Sequence, residues 1–221
     1  MFKFEEEEMR VSLKNVYVAY SGSRKPTIKD ITLNLDSGIY IVTGPNGAGK
    51  TTLLETIIGL LKPYRGKAYL LGVNTKSRNI FRVRRRCSYI PQDFMKPPTE
   101  AYTGMDVIKL GLVFNRNGLS NVTELAKKLN ALDLLEKPFG KLSGGQQQKI
   151  MIIRALARDP EVLLLDEPFS SLDTESKDAL CEILEGYRDR LVVVVSHNTS
   201  SIREIADGVI RMEEGRIVDI S

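Results

Sequence analysis

Cysteine, histidine and long apolar runs are all scarce in this chain of 221 residues. The two cysteines, Cys87 and Cys181, lie far apart and outside any C-x-x-C spacing. That excludes a disulfide framework and a cysteine zinc site, and it fits reduced thiols in a cytosolic protein. No stretch approaches the roughly 18 apolar residues of a membrane helix; the longest run is "LVVVV", residues 191–195. The chain is therefore not expected to span a membrane by itself. The acidic start "MFKFEEEEMR" is no signal peptide. An excess of 32 basic over 28 acidic side chains, net +4, does not by itself call for nucleic acid. There is no internal repeat and, beyond Glu5–Glu8, no low-complexity segment.

What is present is the composition of a soluble globular protein, 42% hydrophobic and 27% charged. The length favours one compact domain with room for an inserted subdomain. Strand-like alternation runs through 10–20 and 27–36, and "GIYIVTG" (38–44) is a short buried strand entering a glycine-rich loop. A helix is expected over 50–61, a strand within 62–72, and a strand at 87–93 stopped by Pro91. Between about 93 and 157 the texture becomes helical, with helices expected at 103–114, 121–135 and 147–159 and with Asn121 and Ser143 before helix starts. "EVLLLDEP" and "RLVVVVSH" are apolar strands, each expected to lead into a helix, the first over about 174–188. Two short strands, "GVIRMEE" and "RIVDIS", close the chain. Strand–helix alternation with apolar strands means a mostly parallel sheet covered by helices on both faces. The arginines of "RVRRR" (82–86) are read as a solvated helix face rather than a nucleic-acid site.

The chemistry concentrates in a few places. "GPNGAGKTT", 44–52, fits G-x-x-x-x-G-K-[ST] between a strand and a helix. Its residues Gly44, Pro45, Asn46, Gly47, Ala48 and Gly49 curl the backbone so that N–H groups face phosphate oxygens. Lys50 supplies a charge for the β and γ phosphates, Thr51 a hydroxyl for Mg²⁺, and Thr52 a reach to the α-phosphate. Asp166 ends an apolar strand, where ligands of α/β sheets sit, and can hold Mg²⁺. Glu167, next to it, is placed to orient and deprotonate an attacking water. His197, the only histidine, leaves another apolar strand at the same edge, and Gln92 ends a third. An imidazole there can contact a γ-phosphate, and an amide can touch the metal or the water. A second anion cradle follows at "LSGGQ", where Ser143, Gly144, Gly145 and Gln146 open a helix.

With these residues in this order, the sequence from about 10 to 221 resembles the nucleotide-binding subunits of ATP-binding cassette (ABC) transporters. In family terms 44–52 match the Walker A loop, Gln92 the Q-loop, 142–146 the signature motif and 162–167 Walker B. Residues 171–173 match the D-loop and His197 the switch histidine. The resemblance implies a P-loop NTPase core over 10–92 and 158–221, with an antiparallel β subdomain, and a helical signature subdomain over 93–157. It implies ATP and Mg²⁺ as ligands, and a head-to-tail pair in which Ser143–Gln146 of one subunit hold the ATP on the other's Walker A loop. Asp173 would then be a dimer contact. The family also places an aromatic ring under adenine just before a Gly-containing turn, which selects Tyr20 over Tyr17. Asn198, where the family often has Asp, is the one minor departure.

The expected partners are membrane permease subunits, a second nucleotide-binding subunit and, indirectly, a solute-binding protein. The expected position is peripheral, on the cytoplasmic face of the membrane. The stretch "IPQDFMKPPTEAYTGMDVIKLG" resembles the metal-ion and metal-chelate importer branch, and the chain's end soon after "EEGRIVD" leads to the expectation of no regulatory domain. The alternative is a soluble cassette ATPase of iron–sulfur assembly, repair or translation.

Overall fold

The computed structural model describes residues 9–20, 22, 25–93, 102–113, 118–197 and 199–221. Asn198 and most of the proline-rich run ahead of residue 102 lie outside the described residues. Among the described residues, sixteen α-helices and strands follow in the order β1 (Val11–Val18), β2 (Ile28–Leu35), β3 (Gly38–Thr43), α1 (Lys50–Ile57), β4 (Arg65–Leu70), β5 (Val73–Asn74), α2 (Ile80–Arg84) and β6 (Cys87–Ile90). Then come α3 (Gly104–Gly111), α4 (Leu119–Lys128), α5 (Gly144–Leu156), β7 (Val162–Asp166), α6 (Thr174–Glu185), β8 (Leu191–Val195), β9 (Gly208–Glu213) and β10 (Arg216–Ile220).

One sheet has the order β10-β9-β3-β8-β7-β6, parallel except for the antiparallel β10 at its edge. A second, β2-β1-β4-β5, is antiparallel. The parallel strands alternate their side chains between two cores. Ile39, Ile41, Leu163, Leu165, Val192 and Val194 pack with residues of α3–α6. Val42, Leu164, Val193 and Val195 pack with α1 and the antiparallel sheet. This is the α/β P-loop architecture expected, with α3, α4 and α5 falling between β6 and β7. Register fixes the functional edge. Val42 lies opposite Val195 and Val195 opposite Asp166, so the chain leaves β3, β7 and β8 at one rim.

Several element ends differ from the sequence expectation. α1 stops at Ile57, not 61, because Gly59 turns left-handed (φ 73°) and Leu60 N–H returns to the Glu55 carbonyl at 2.8 Å. α4 begins at Leu119 and ends at Lys128, so Asn121 lies inside the helix and caps nothing. Asn130 at φ 48° breaks the run to 135. α6 ends three residues early, at Glu185. β1 ends at Val18, which leaves Tyr20 beyond the strand. After β8 the expected helix is a set of turns over 200–205. Arg203 N–H reaches Thr199 O at 2.8 Å, but β9 starts at 208 and the helical turn is not propagated. Short α2 carries part of the arginine run, and two guanidinia of the run have structural work. Arg84 donates to the carbonyls of Ile58 and Gly59, and Arg86 pairs with Glu161.

Candidate functional site

The loop after β3 curls because its glycines 44, 47 and 49 all take positive φ. Gly44 has a steric reason as well: a Cβ there would stand 2.1 Å from the Met212 carbonyl oxygen on β9. Ala48 is buried beneath the loop, while Pro45, Asn46 and Gly47 are exposed at its crest. Lys50, only 7% exposed, folds its ammonium back on the loop and donates to the carbonyls of Gly44 (2.8 Å) and Pro45 (3.0 Å). Burial lowers its pKa from the usual lysine value, against the opposing pull of Glu167 and Asp166.

Thr51 donates its hydroxyl hydrogen to Asp166 Oδ2 at 2.6 Å, joining α1 to the end of β7. Asp166 is 1% exposed, and its Oδ1 has no hydrogen-bond partner among the described residues. Burial raises its pKa, offset in part by Thr51. A hydroxyl beside a carboxylate with one buried oxygen free is a hard-oxygen donor set of the kind Mg²⁺ takes. No cluster of three or more His, Cys, Asp or Glu that could hold a metal occurs among the described residues.

Glu167 follows in a left-handed conformation, φ 52°, rare for a non-glycine residue and doubly disfavoured before Pro168. Its N–H bonds to Val195 O at 2.9 Å, and its carbonyl accepts from the Ser170 N–H (3.3 Å) and hydroxyl (3.0 Å), so the turn is held from both sides. The carboxylate is turned toward the end of β8. His197 Nε2 stands 3.3 Å from Oε1, and the His197 backbone N–H points at Oε2 from 3.5 Å. Burial raises the Glu167 pKa above the usual glutamate value, with His197 as the largest opposing influence. A strained, buried carboxylate of raised pKa is the arrangement expected of a general base.

These groups share one cleft of ≈ 280 Å³, which Tyr20, Thr52 and Gln92 also line. Tyr20 leans on α1, its hydroxyl 3.1 Å from Thr52 Oγ1 and donating to Glu55 Oε2 at 3.1 Å. Tyr17 instead stacks against Tyr64 and Arg65, away from the cleft. Sequence reasoning passed over Thr27 and Val195 in the wall, and Glu55 behind Tyr20. The acidic residue in the helix after the glycine loop was a visible signal for the last; the other two had none.

Ser143–Gln146 do not line this cleft. They form a reciprocal cap on α5: Gln146 N–H donates to Ser143 Oγ (3.3 Å), and Ser143 N–H donates to Gln146 Oε1 (2.9 Å). Helix geometry leaves the N–H groups of Gly144 and Gly145 without intrahelical acceptors, and Ser143 and Gly144 are exposed. Asp173 caps α6 through Ser176 N–H (2.8 Å) and pairs with Lys149 (3.1 Å), which together hold its carboxyl well below the usual range.

Known proteins resemble this chain along most of its length. The ABC transporter family model matches residues 28–170. The high-affinity zinc uptake system ATP-binding protein ZnuC of Bacillus subtilis is 33% identical over 218 residues, spanning 93% of this chain and 91% of that one. The molybdate/tungstate import ATP-binding protein WtpC of Thermococcus kodakarensis is 35% identical over 87% of this chain and 60% of its own length. Among solved structures, the dimeric post-hydrolysis state of the ATP-binding cassette MJ0796, bound to ADP and Pi, superposes with a TM-score of 0.85. It is 27% identical and is covered to 97%, for 96% of this chain. The chain belongs to the ABC transporter family, as one of its ATP-hydrolysing nucleotide-binding subunits.

Proposed function

We propose that the subunit works as a pair, each ATP lying between the cleft of one chain and the Ser143–Gln146 terminus of the other, to drive import through separate permease subunits. The observation that carries the pairing is the second anion cradle. An exposed helix terminus with spare N–H groups, outside its own chain's cleft, has a use when a second chain brings a γ-phosphate to it. The solved dimer of a similar cassette supports the same reading.

Within each site the loop N–H groups and Lys50 hold the β and γ phosphates, and Tyr20 offers its ring to adenine. Thr51, Asp166 and Gln92 would hold Mg²⁺, which when bound offsets the negative charge of the phosphates. Glu167 takes a proton from water as that oxygen bonds to the γ-phosphorus and the bond to the bridging oxygen breaks, releasing ADP. His197 keeps the Glu167 carboxylate aimed. Asp173 lies in the loop that meets the partner chain.

The family and its importer relatives support membrane permease partners; no helix among the described residues is long and apolar enough to cross a membrane. The family supports a peripheral place on the cytoplasmic face. The names of the relatives support import; zinc and molybdate/tungstate stand among their printed cargoes beside methionine, and the metal-containing ones support a metal ion or metal complex as cargo.

Mixing tests the composite site. Lys50→Ala loses the cleft of its own chain, and Ser143→Arg blocks the cradle offered to the other. Each alone should be nearly inactive, whereas a mixture regains turnover at the one site per heterodimer that keeps both halves. No recovery on mixing, or full activity of Ser143→Arg alone, would sink the pairing.

A further inference from the structure

Helix α5 buries three consecutive polar side chains, Gln147, Gln148 and Lys149, at 3%, 6% and 8% exposure. Successive helical residues point about 100° apart, so such a run cannot be a solvated face. Buried amides and ammonium groups are costly unless bonded, and here each finds a different partner. Gln147 donates to the carbonyls of Phe139 (3.0 Å) and Leu142 (3.2 Å), fixing the segment that leads into the helix. Gln148 donates to the carbonyl of Pro168 at 3.4 Å. Lys149 pairs with Asp173.

The last two partners lie near the two ends of one loop, the one that begins at strained Glu167. Its middle also rests on α5, where Gly145 approaches so closely that a Cβ would stand 2.4 Å from the Ser171 carbonyl oxygen. The helix therefore backs the loop at its start, middle and end. The internal bonds at Ser170 hold the Glu167 carbonyl, and Gln148 grips the next carbonyl along, that of Pro168, one residue from the carboxylate that His197 faces.

We infer that Gln148 and Lys149 are positioning residues for Glu167, so that the helix holding a partner's nucleotide at its N-terminus also aims its own chain's base. The inference rests on the reading of Glu167 as that base. In the full chain, Gln148→Met should lower kcat about fivefold to tenfold, the loss of about one hydrogen bond's worth of aim, and leave the KM for ATP within about twofold. Lys149→Met should behave alike, and Lys149→Arg should restore turnover. Placed in a Glu167→Gln background, neither Met substitution should lower the residual rate further, because its effect passes through the missing carboxylate. Fluorescent ATP-analogue binding checks that the cleft is intact; if Gln148→Met fails to fold, the Lys149 pair decides. A raised KM at unchanged kcat, or losses that multiply in the Glu167→Gln background, overturns the inference. Normal turnover by Glu167→Gln alone defeats the base assignment itself, and the inference with it.

Discussion

The two anion cradles proposed for this chain are built on opposite plans. At the β3–α1 loop the binding charge is a buried ammonium that already bonds two loop carbonyls, surrounded by buried carboxylates of raised pKa. At the start of α5 the donors are neutral N–H groups on an exposed terminus, organised by a reciprocal Ser143–Gln146 cap. The first is an expensive, preorganised site that only a tightly folded core can hold, which is why it sits where parallel strands end. The second costs little and commits to nothing until a phosphate is brought to it. A reaction that needs both halves can thus be switched by assembly alone.

The comparison breaks most sharply at Glu167. Glu167→Gln should cut turnover about a thousandfold, within the usual reach of a general base, while ATP binding persists. Its pH profile sharpens the point. The wild-type carboxylate must be ionised to accept a proton, and burial raises its pKa. Turnover should therefore fall as the pH drops through a value above that of ordinary glutamate, and this acid limb should vanish in the variant. An acid limb unchanged by the substitution would assign it to another group.

Lys50→Ala should come next. Removing a buried cation from a phosphate contact costs about 3 kcal/mol, roughly a hundredfold in Kd for ATP by titration calorimetry. The same titration of an isolated Ser143→Ala subunit should give the wild-type Kd, since that residue lies off the cleft of its own chain. Its effect should appear in stability instead, at about 1 kcal/mol for a lost helix cap, and in turnover at concentrations where the chain pairs. A weakened Kd in monomeric Ser143→Ala would erase the distinction between the cradles.

Much of this contrast was legible in the sequence. The β-branched and leucine-rich runs ending in Asp166 and before His197 identify buried parallel strands, and such strands must release their last residues at one rim. The rim in turn gathers Gln92, Asp166, Glu167 and His197 around the glycine loop. Helix ends were less legible, because Gly59 and Asn130 terminate α1 and α4 through left-handed turns that apolar periodicity does not register. The polar run Gln147–Lys149 misleads for a deeper reason. By composition it reads as solvent-facing, and only the segments packed against α5, 139–142 before it and the loop after Glu167, turn it into a buried row of donors. The Tyr20–Glu55 contact joins residues 35 apart through a loop whose path no local pattern dictates.

The smallest effect expected is also the one that separates function from stability. Glu167 holds a left-handed backbone that a side chain disfavours by about 1–2 kcal/mol, and its carboxylate ionises at a penalty in the fold. A group whose folded pKa is raised stabilises the fold least at high pH, so at neutral pH this carboxylate works against folding. Glu167→Gly removes both burdens and returns part of the gain as extra freedom in the unfolded chain. The net should be a stabilisation of about 1 kcal/mol, seen as a rise of about 2–4 °C in Tm, in a protein without turnover. The gain should shrink as the pH is lowered toward the ordinary glutamate range, because the protonated side chain no longer opposes folding. A lower Tm for Glu167→Gly at every pH would mean that the side chain's contacts with His197 outweigh the strain, and that the turn is held for stability rather than against it.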